Sequence, residues 1–167
     1  MKTLVLGMGN DLMSDDAVGL KVAERLKQSI DDPDVEARET CLAGLQLLDL
    51  FVGFDRVIIV DAIKTGTAKA GDVRVLSLHD LDSGSPPISL HHVELPTVLT
   101  LGRALGAKMP DRVRIVGVEA KDVNTFGGGC CPEVEAAIPK VVGLIEAELS
   151  RNNGTHPLSS PAQNPRG

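Results

Sequence analysis

Residues 56–61 read Arg-Val-Ile-Ile-Val-Asp, and this stretch decides the fold class. Its four consecutive β-branched residues, Val57 to Val60, are typical of a strand that is buried on both faces, as in the centre of a parallel sheet. On either side of it, short apolar runs alternate with stretches of helical periodicity, which is the pattern of βαβ units. The sequence therefore predicts an α/β protein with a mostly parallel sheet.

The same periodicity and the positions of Gly and Pro set the expected elements. Strands are predicted at residues 3–6, 35–39, 56–61, 73–78 and 113–118, and helices over 15–28, 42–51, 93–105 and 132–149. Residues 79–89 are rich in Gly, Pro and Ser and are predicted to form a loop. We expect one domain over residues 1–149 and a disordered tail over 150–167, because the tail is rich in polar residues and Pro and has few apolar ones.

The composition excludes several classes of partner. The chain has 167 residues, a formal net charge of −6 and neither Trp nor Tyr, which disfavours nucleic acids and anionic membranes. No apolar run approaches the ~20 residues that span a bilayer, and the N-terminus lacks the features of a signal peptide. Three cysteines form no disulfide framework and suit a reducing compartment. We expect a cytoplasmic protein, with a monomer as the default.

The stretch GMGNDLMSDDAVG, residues 7–19, follows the first predicted strand and is open to three interpretations. A dinucleotide-binding turn is disfavoured, because Leu12 stands where the fingerprint requires its third Gly and two acidic residues would repel a pyrophosphate. A structural interpretation is simpler: Ser14 caps the next helix, and Asp15 and Asp16 lie in its first turn near the positive end of the helix dipole. The third interpretation is a catalytic carboxylate at Asp16.

The catalytic interpretation depends on what the fold brings near Asp16. Asp61 ends the most buried strand, and the first and third strands of such sheets are commonly neighbours, so both carboxylates are expected at the edge where the chemistry of α/β folds occurs. His91 and His92 stand between a loop and a helix. Two carboxylates and an imidazole can hold a divalent ion such as zinc or nickel with positions left open. Alternatively, Asp61 caps the following turn and His92 is only solvated.

Taken together, the motifs resemble those of the hydrogenase maturation endopeptidases, which trim the C-terminal extension of the large subunit of nickel–iron hydrogenases. The resemblance rests on GMGNDLMSDDAVG, VIIVDAI (57–63), ISLHHVEL (88–95), VGVE (116–119) and PEVEAAIP (132–139), and it covers about residues 3–147. It implies an α/β three-layer sandwich, with a mostly parallel twisted sheet flanked by helices, and a metal-contacting trio of Asp16, Asp61 and His91. His91 is preferred to His92 because the family pattern places its histidine two residues after a Ser-like position, here Ser89.

Two departures from the family pattern lie near the expected site. The segment ETCLAG, residues 39–44, is usually rich in glycine, and here it keeps only Gly44. Glu94 stands where a small residue is common. Neither departure removes one of the three proposed ligands.

The resemblance implies an endopeptidase that acts on the nickel-loaded precursor of a hydrogenase large subunit. The substrate supplies the nickel, another divalent ion such as zinc or cadmium is expected to occupy the site in vitro, and Asp16 or Asp61 serves as general base. A metal-free variant uses the two aspartates as in aspartic proteases. The alternative function is a non-catalytic module, either a hydrogenase-subunit chaperone or a nucleotide-binding domain. An alternative mechanism uses a nucleophilic thiol at Cys130 or Cys131, which precede the last helix.

Overall fold

The computed structural model describes residues 1–82 and 95–153. The strands are β1 (Thr3–Met8), β2 (Val35–Thr40), β3 (Arg56–Ile63), β4 (Val73–Ser77) and β5 (Arg112–Glu119). The helices are α1 (Val18–Ser29), α2 (Leu48–Phe51), α3 (Leu78–Asp82), α4 (Leu95–Ala104) and α5 (Pro132–Asn153), and 3-10 turns span Ser14–Ala17 and Gly44–Leu47. None of the helices in these ranges is long and apolar enough to cross a membrane.

The sheet is centred on β3, which lies between β1 and β5. The strand order is β2-β1-β3-β5-β4, and only the pairing of β4 with β5 is antiparallel. All eight residues of β3 are buried. The predicted mostly parallel sheet, with the first and third strands as neighbours, is confirmed.

The side chains of β3 alternate between two apolar clusters, one on each face of the sheet. Ile58 and Val60 pack with residues of α1 and α5, whereas Val57 and Ile59 pack with residues of α2 and α4. Since each face of the sheet is covered by helices, a run of β-branched residues is fully buried, as the sequence indicates. The three-layer sandwich is confirmed.

Two predicted helices begin differently from the sequence expectation. The segment 15–28 starts as the 3-10 turn Ser14–Ala17, and no side chain caps it, so the predicted capping by Ser14 is wrong. Ser14 instead has a φ of 20°, and its hydroxyl donates a hydrogen bond to the carbonyl oxygen of Gly129 at 3.4 Å. In the segment 42–51, the regular helix α2 is limited to Leu48–Phe51 after a 3-10 turn.

The first residues of the predicted loop and of the predicted tail are helical in the structure. Residues 79–82 belong to α3, which is capped by Asp80: its carboxylate accepts hydrogen bonds from the backbone N–H and the hydroxyl of Ser77 at 2.6 and 2.7 Å. Helix α5 continues to Asn153, so residues 150–153 are helical and not part of a disordered tail. The rest of the predicted tail, 154–167, and the remainder of the loop lie outside the described residues.

Candidate active site

The turn that carries Asp16 packs directly on the carboxyl ends of β1 and β3, and two glycines make this approach possible. A Cβ atom at Gly9, whose φ is 146°, would lie 1.8 Å from the carbonyl oxygen of Asp16. A Cβ atom at Gly19 would lie 2.2 Å from the carbonyl oxygen of Met8 and 2.4 Å from that of Val60. Such distances leave no room for a side chain. The chain from 14 to 19 is therefore held against the sheet edge at which Asp61 follows Val60.

Asp61 is fully buried, and its Oδ1 accepts a hydrogen bond from the backbone N–H of Ala62 at 2.8 Å. Its partner across the sheet in β5 is Gly117, where a Cβ atom would lie 2.7 Å from the side chain of Ile63, so β3 and β5 are closely packed at this point. Asp16 is partly buried in the neighbouring turn. The segments that bear Asp16 and Asp61 thus meet at the carboxyl end of the parallel strands.

The third predicted ligand cannot be located, because His91 and His92 lie outside the described residues, as does Glu94. Within residues 1–82 and 95–153, no group of three or more His, Cys, Asp and Glu side chains is placed to hold a metal ion. The two carboxylates supply oxygen ligands, and the imidazole that the predicted trio requires would come from the segment that precedes α4.

Asp15 makes long-range hydrogen bonds that the sequence did not indicate. It is fully buried, and its carboxylate accepts three backbone hydrogen bonds: from Lys121 and Asp122 at 2.8 and 2.9 Å, and from Cys131 at 2.6 Å. Burial raises the pKa of this carboxyl, but the three N–H donors outweigh it and hold the pKa below its usual range. Asp15 lies in the first turn of the 3-10 helix Ser14–Ala17, as predicted, and in addition it is a structural anchor between the first loop and two later segments.

A third buried carboxylate, that of Glu119 at the carboxyl end of β5, is structural like that of Asp15. Its Oε1 accepts hydrogen bonds from the backbone N–H groups of Thr65 and Gly66 at 2.8 and 3.2 Å, and its Oε2 accepts one from the Thr65 hydroxyl at 2.9 Å. These bonds fix the loop that follows β3. Glu119 holds this loop, so it is not assigned a role in the chemistry.

Exposed apolar side chains lie on the loops that follow the carboxyl ends of β1, β2 and β5. Leu12 and Phe126, which are 53% and 75% exposed, lie on two loops joined by a hydrogen bond from the backbone N–H of Gly127 to the carbonyl oxygen of Leu12. Leu45 is 53% exposed at the turn after β2. Contiguous exposed apolar patches, unlike single exposed apolar residues, mark surfaces that contact another protein.

The cysteines at the start of α5 do not have the properties of a nucleophile. Burial raises the pKa of the Cys130 thiol to about 11, although Lys21 nearby acts in the opposite direction. Burial also raises the pKa of Cys131. Since the reactive form of cysteine is the thiolate, the expectation that the helix lowers these pKa values is wrong, and a thiol mechanism is not supported.

Comparison with known proteins identifies the family. A family model described as hydrogenase maturation protease (HycI) matches residues 20–148. The hydrogenase 2 maturation protease of Escherichia coli strain K12 is 32% identical over 164 residues, which cover 97% of this chain and 98% of that protein. The hydrogenase expression/formation protein HupD of Rhizobium leguminosarum bv. viciae is 28% identical over 144 residues, which cover 84% of this chain and 70% of that protein.

Solved structures give the same result. The hydrogenase maturating endopeptidase HybD from Escherichia coli superposes with a TM-score of 0.78 at 33% identity, over 92% of this chain and 94% of that one. The NiFe hydrogenase maturation protease HybD from Thermococcus kodakarensis gives a TM-score of 0.69 at 28% identity, over 89% and 99% of the two chains. By sequence and by fold, the chain belongs to the hydrogenase maturation protease family and is therefore a protease.

Proposed function

We propose that this protease removes the C-terminal extension from the large-subunit precursor of a nickel–iron hydrogenase after nickel has been inserted. Membership of the family supports the reaction, and the name of the Thermococcus relative supports the nickel–iron class of substrate. The observation that carries the proposal is the packing of the turn bearing Asp16 on the end of the strand bearing Asp61, which requires Gly9 and Gly19. The alternatives of a chaperone and a nucleotide-binding domain are not favoured.

The proposed active site consists of Asp16 and Asp61 as catalytic carboxylates, which together with His91 contact the nickel of the bound precursor. Nickel in such a position supplies Lewis acidity next to the scissile peptide bond. Asp61 is buried and is oriented by the N–H of Ala62, which suits a residue that binds and positions. Asp16 is partly exposed and accepts the proton of the attacking water as general base. We expect zinc or cadmium to occupy the same three ligands in vitro.

The precursor is proposed to dock on the apolar rim formed by Leu12, Leu45 and Phe126. These side chains are exposed, and the loops of Leu12 and Phe126 are joined by a backbone hydrogen bond, so they present apolar surface beside the two carboxylates. We further propose that the protease acts as a monomer in the cytoplasm.

The proposal is tested by incubating the purified protein with nickel-loaded precursor and identifying the products by mass spectrometry. Asp16→Asn and Asp61→Asn each remove a carboxylate while keeping its shape, and we expect each to slow cleavage about a hundredfold or more. Asp11→Asn is the matched control, because Asp11 is an exposed aspartate of the same loop, and it should leave the rate unchanged.

Three results would contradict all or part of the proposal. Unchanged cleavage by both carboxylate variants would exclude the proposed site. Tight binding of the precursor by the wild type with no shortened product would favour a chaperone. Equal cleavage of nickel-free and nickel-loaded precursor would exclude the role of nickel but would keep the two aspartates, as in the aspartic-type variant.

A further inference from the structure

An arginine-rich cavity lies at the amino-terminal ends of β3 and β5, whereas the proposed active site lies at the carboxyl ends of the parallel strands. It has a volume of about 430 Å³, and its lining consists of Arg56, Val75, Arg112, Arg114, Leu144, Glu148 and Arg151. Arg56 is the first residue of β3, and Asp61 is the sixth, so the two positions are separated by about 16 Å along the strand. The cavity is therefore distinct from the carboxyl edge that carries the catalytic residues.

The register of the sheet and the period of α5 explain why the arginines converge. Arg56 pairs with Arg112 across β3 and β5, and Arg114 lies two residues further along the same face. Leu144, Glu148 and Arg151 are spaced four and three residues apart, so they share the face of α5 that covers this end of the sheet. The convergence thus follows from regular elements and not from a loop.

Arg56 is only 4% exposed, and its guanidinium is incompletely paired. One nitrogen, Nη2, donates to the Glu148 carboxylate, which also lies 3.8 Å from Nε of Arg114. Within the described part of the chain, Nη1 of Arg56 is the buried side-chain nitrogen or oxygen without a hydrogen-bond partner. A buried charged donor without a partner is costly, because it loses its hydration and gains nothing in return. An anionic ligand would supply the missing acceptor.

The charge of the cavity also favours an anion. Four arginines face one glutamate in the lining, although the whole chain has a net charge of −6. Glu148, which pairs with Arg56 and lies 3.8 Å from Arg114, carries a single negative charge, so the four arginines keep the lining positive. A carboxylate would neutralise one of these charges, whereas a phosphate carries more charge and offers oxygens to several guanidinium groups at once. Val75 and Leu144 add an apolar wall against which the body of an organic phosphate could lie.

We propose that this cavity binds a phosphate group, carried either by free inorganic phosphate or by a small phosphorylated metabolite. Arg56 provides the buried guanidinium at the base of the cavity, and Arg112 and Arg114 provide the exposed ones. The cavity volume falls in the range of pockets that bind small organic ligands. The inference stands independently of the proposed substrate, because its residues lie at the other end of the sheet.

The test is isothermal titration calorimetry of the full-length protein with inorganic phosphate at constant ionic strength, with chloride as the competing salt. We expect saturable binding by the wild type. The double variant Arg112→Gln/Arg114→Gln removes two exposed cations of the cavity and should weaken binding about tenfold or more. The matched control, Arg25→Gln/Arg38→Gln, removes the same charge from α1 and β2 and should bind as the wild type does.

A second variant keeps the test independent of surface charge. Arg56→Lys retains the positive charge next to Glu148 but removes the second donor nitrogen, so phosphate binding should weaken while the protein still folds. Folding is followed by circular dichroism, since the chain has no Trp or Tyr to report it. None of these variants is expected to change cleavage of the precursor.

The identity of the ligand is resolved by titrating adenosine monophosphate and adenosine. Tighter binding of the monophosphate than of phosphate, with no binding of adenosine, identifies an organic phosphate, whereas equal binding of the two phosphates identifies free phosphate. The proposal is overturned if the wild type shows no saturable heat with either phosphate, or if the cavity variant and the charge-matched control bind equally well.

Discussion

The backbone N–H of Cys131 donates a hydrogen bond to Oδ1 of Asp15 at 2.6 Å, although the two residues are 116 positions apart. Oδ2 of the same carboxylate accepts bonds from Lys121 and Asp122. Asp15 therefore ties the first loop of the chain to the loop after β5 and to the start of α5. Since Asp16 is the next residue, this anchor also determines where the proposed general base lies.

Replacing Asp15 with Asn should destabilise the fold. The amide side chain has one oxygen and places an N–H group where the carboxylate accepted a bond, so at least one buried donor loses its partner. We expect the free energy of unfolding to fall by about 2–3 kcal/mol, measured by urea denaturation and circular dichroism. Asp11→Asn, in the same loop but exposed, should change it by less than about 0.5 kcal/mol.

The contribution of Asp15 should disappear at low pH. Because the folded protein holds the pKa of Asp15 below its usual range, the unfolded chain binds this proton first as the pH falls. The stabilisation is therefore complete above about pH 5 and is lost as the pH falls below about 4 and through the folded pKa. The difference in unfolding free energy between wild type and Asp15→Asn should shrink over that range. A difference that stays constant would show that the charge of Asp15 contributes nothing.

Adding one methyl group at Gly19 should displace the proposed active site. The Cβ atom would lie 2.2 Å from the backbone oxygen of Met8 and 2.4 Å from that of Val60, and neither strand can move aside. Gly19→Ala should lower the free energy of unfolding by about 1–3 kcal/mol and slow cleavage. In α5, a Cβ atom at Gly143 would meet no atom within 4 Å, so Gly143→Ala should instead stabilise the fold by about 0.5–1 kcal/mol. Similar effects at both glycines would contradict the close packing at Gly19.

The two adjacent histidines provide their own control. If the imidazole of His91 is the third ligand, His91→Ala should abolish cleavage of nickel-loaded precursor, and His92→Ala should retain it. The rates are compared by mass spectrometry of the released extension. If His91→Ala retains activity and His92→Ala loses it, the third ligand is His92 and not His91.

The raised pKa of Cys130 predicts that this thiol takes no part in catalysis. With a pKa of about 11, it is almost entirely protonated at neutral pH. Cys130→Ser should therefore cleave the precursor at the wild-type rate, and alkylation at neutral pH should modify the exposed Cys41 before Cys130. Loss of cleavage in Cys130→Ser, with an unchanged circular dichroism spectrum, would restore the thiol mechanism.

The fold was predictable from the sequence to the extent that burial determines it. The β-branched run of Val57 to Val60 could only suit a strand covered on both faces, and this placed β3 at the centre of a parallel sheet. The starts of the helices were less predictable. Ser14 is a residue type that commonly caps helices, but its backbone has a φ of 20° and its hydroxyl bonds to a loop more than 100 residues away, which no local pattern records.

The positions of the two candidate carboxylates were predictable, whereas their catalytic role stays a prediction. Asp16 follows β1 and Asp61 lies near the carboxyl end of β3, so the strand order brings their segments to the same end of the sheet. The roles of two adjacent aspartates could not be separated in this way. Asp15 differs from Asp16 because three backbone donors from distant segments surround it, and only the folded chain brings them together.

The position of β4 has a consequence for how the protein is made. Among the residues that the structure describes, β4 pairs only with β5, yet the ribosome synthesises Val73–Ser77 before Arg112–Glu119. During translation, therefore, residues 73–77 emerge before β5, their neighbour in the sheet, exists, and their backbone groups stay hydrated or open to other nascent chains. Completion of the sheet must wait for the last third of the polypeptide, so a truncated product ending before residue 112 is expected to aggregate and not to act on any precursor.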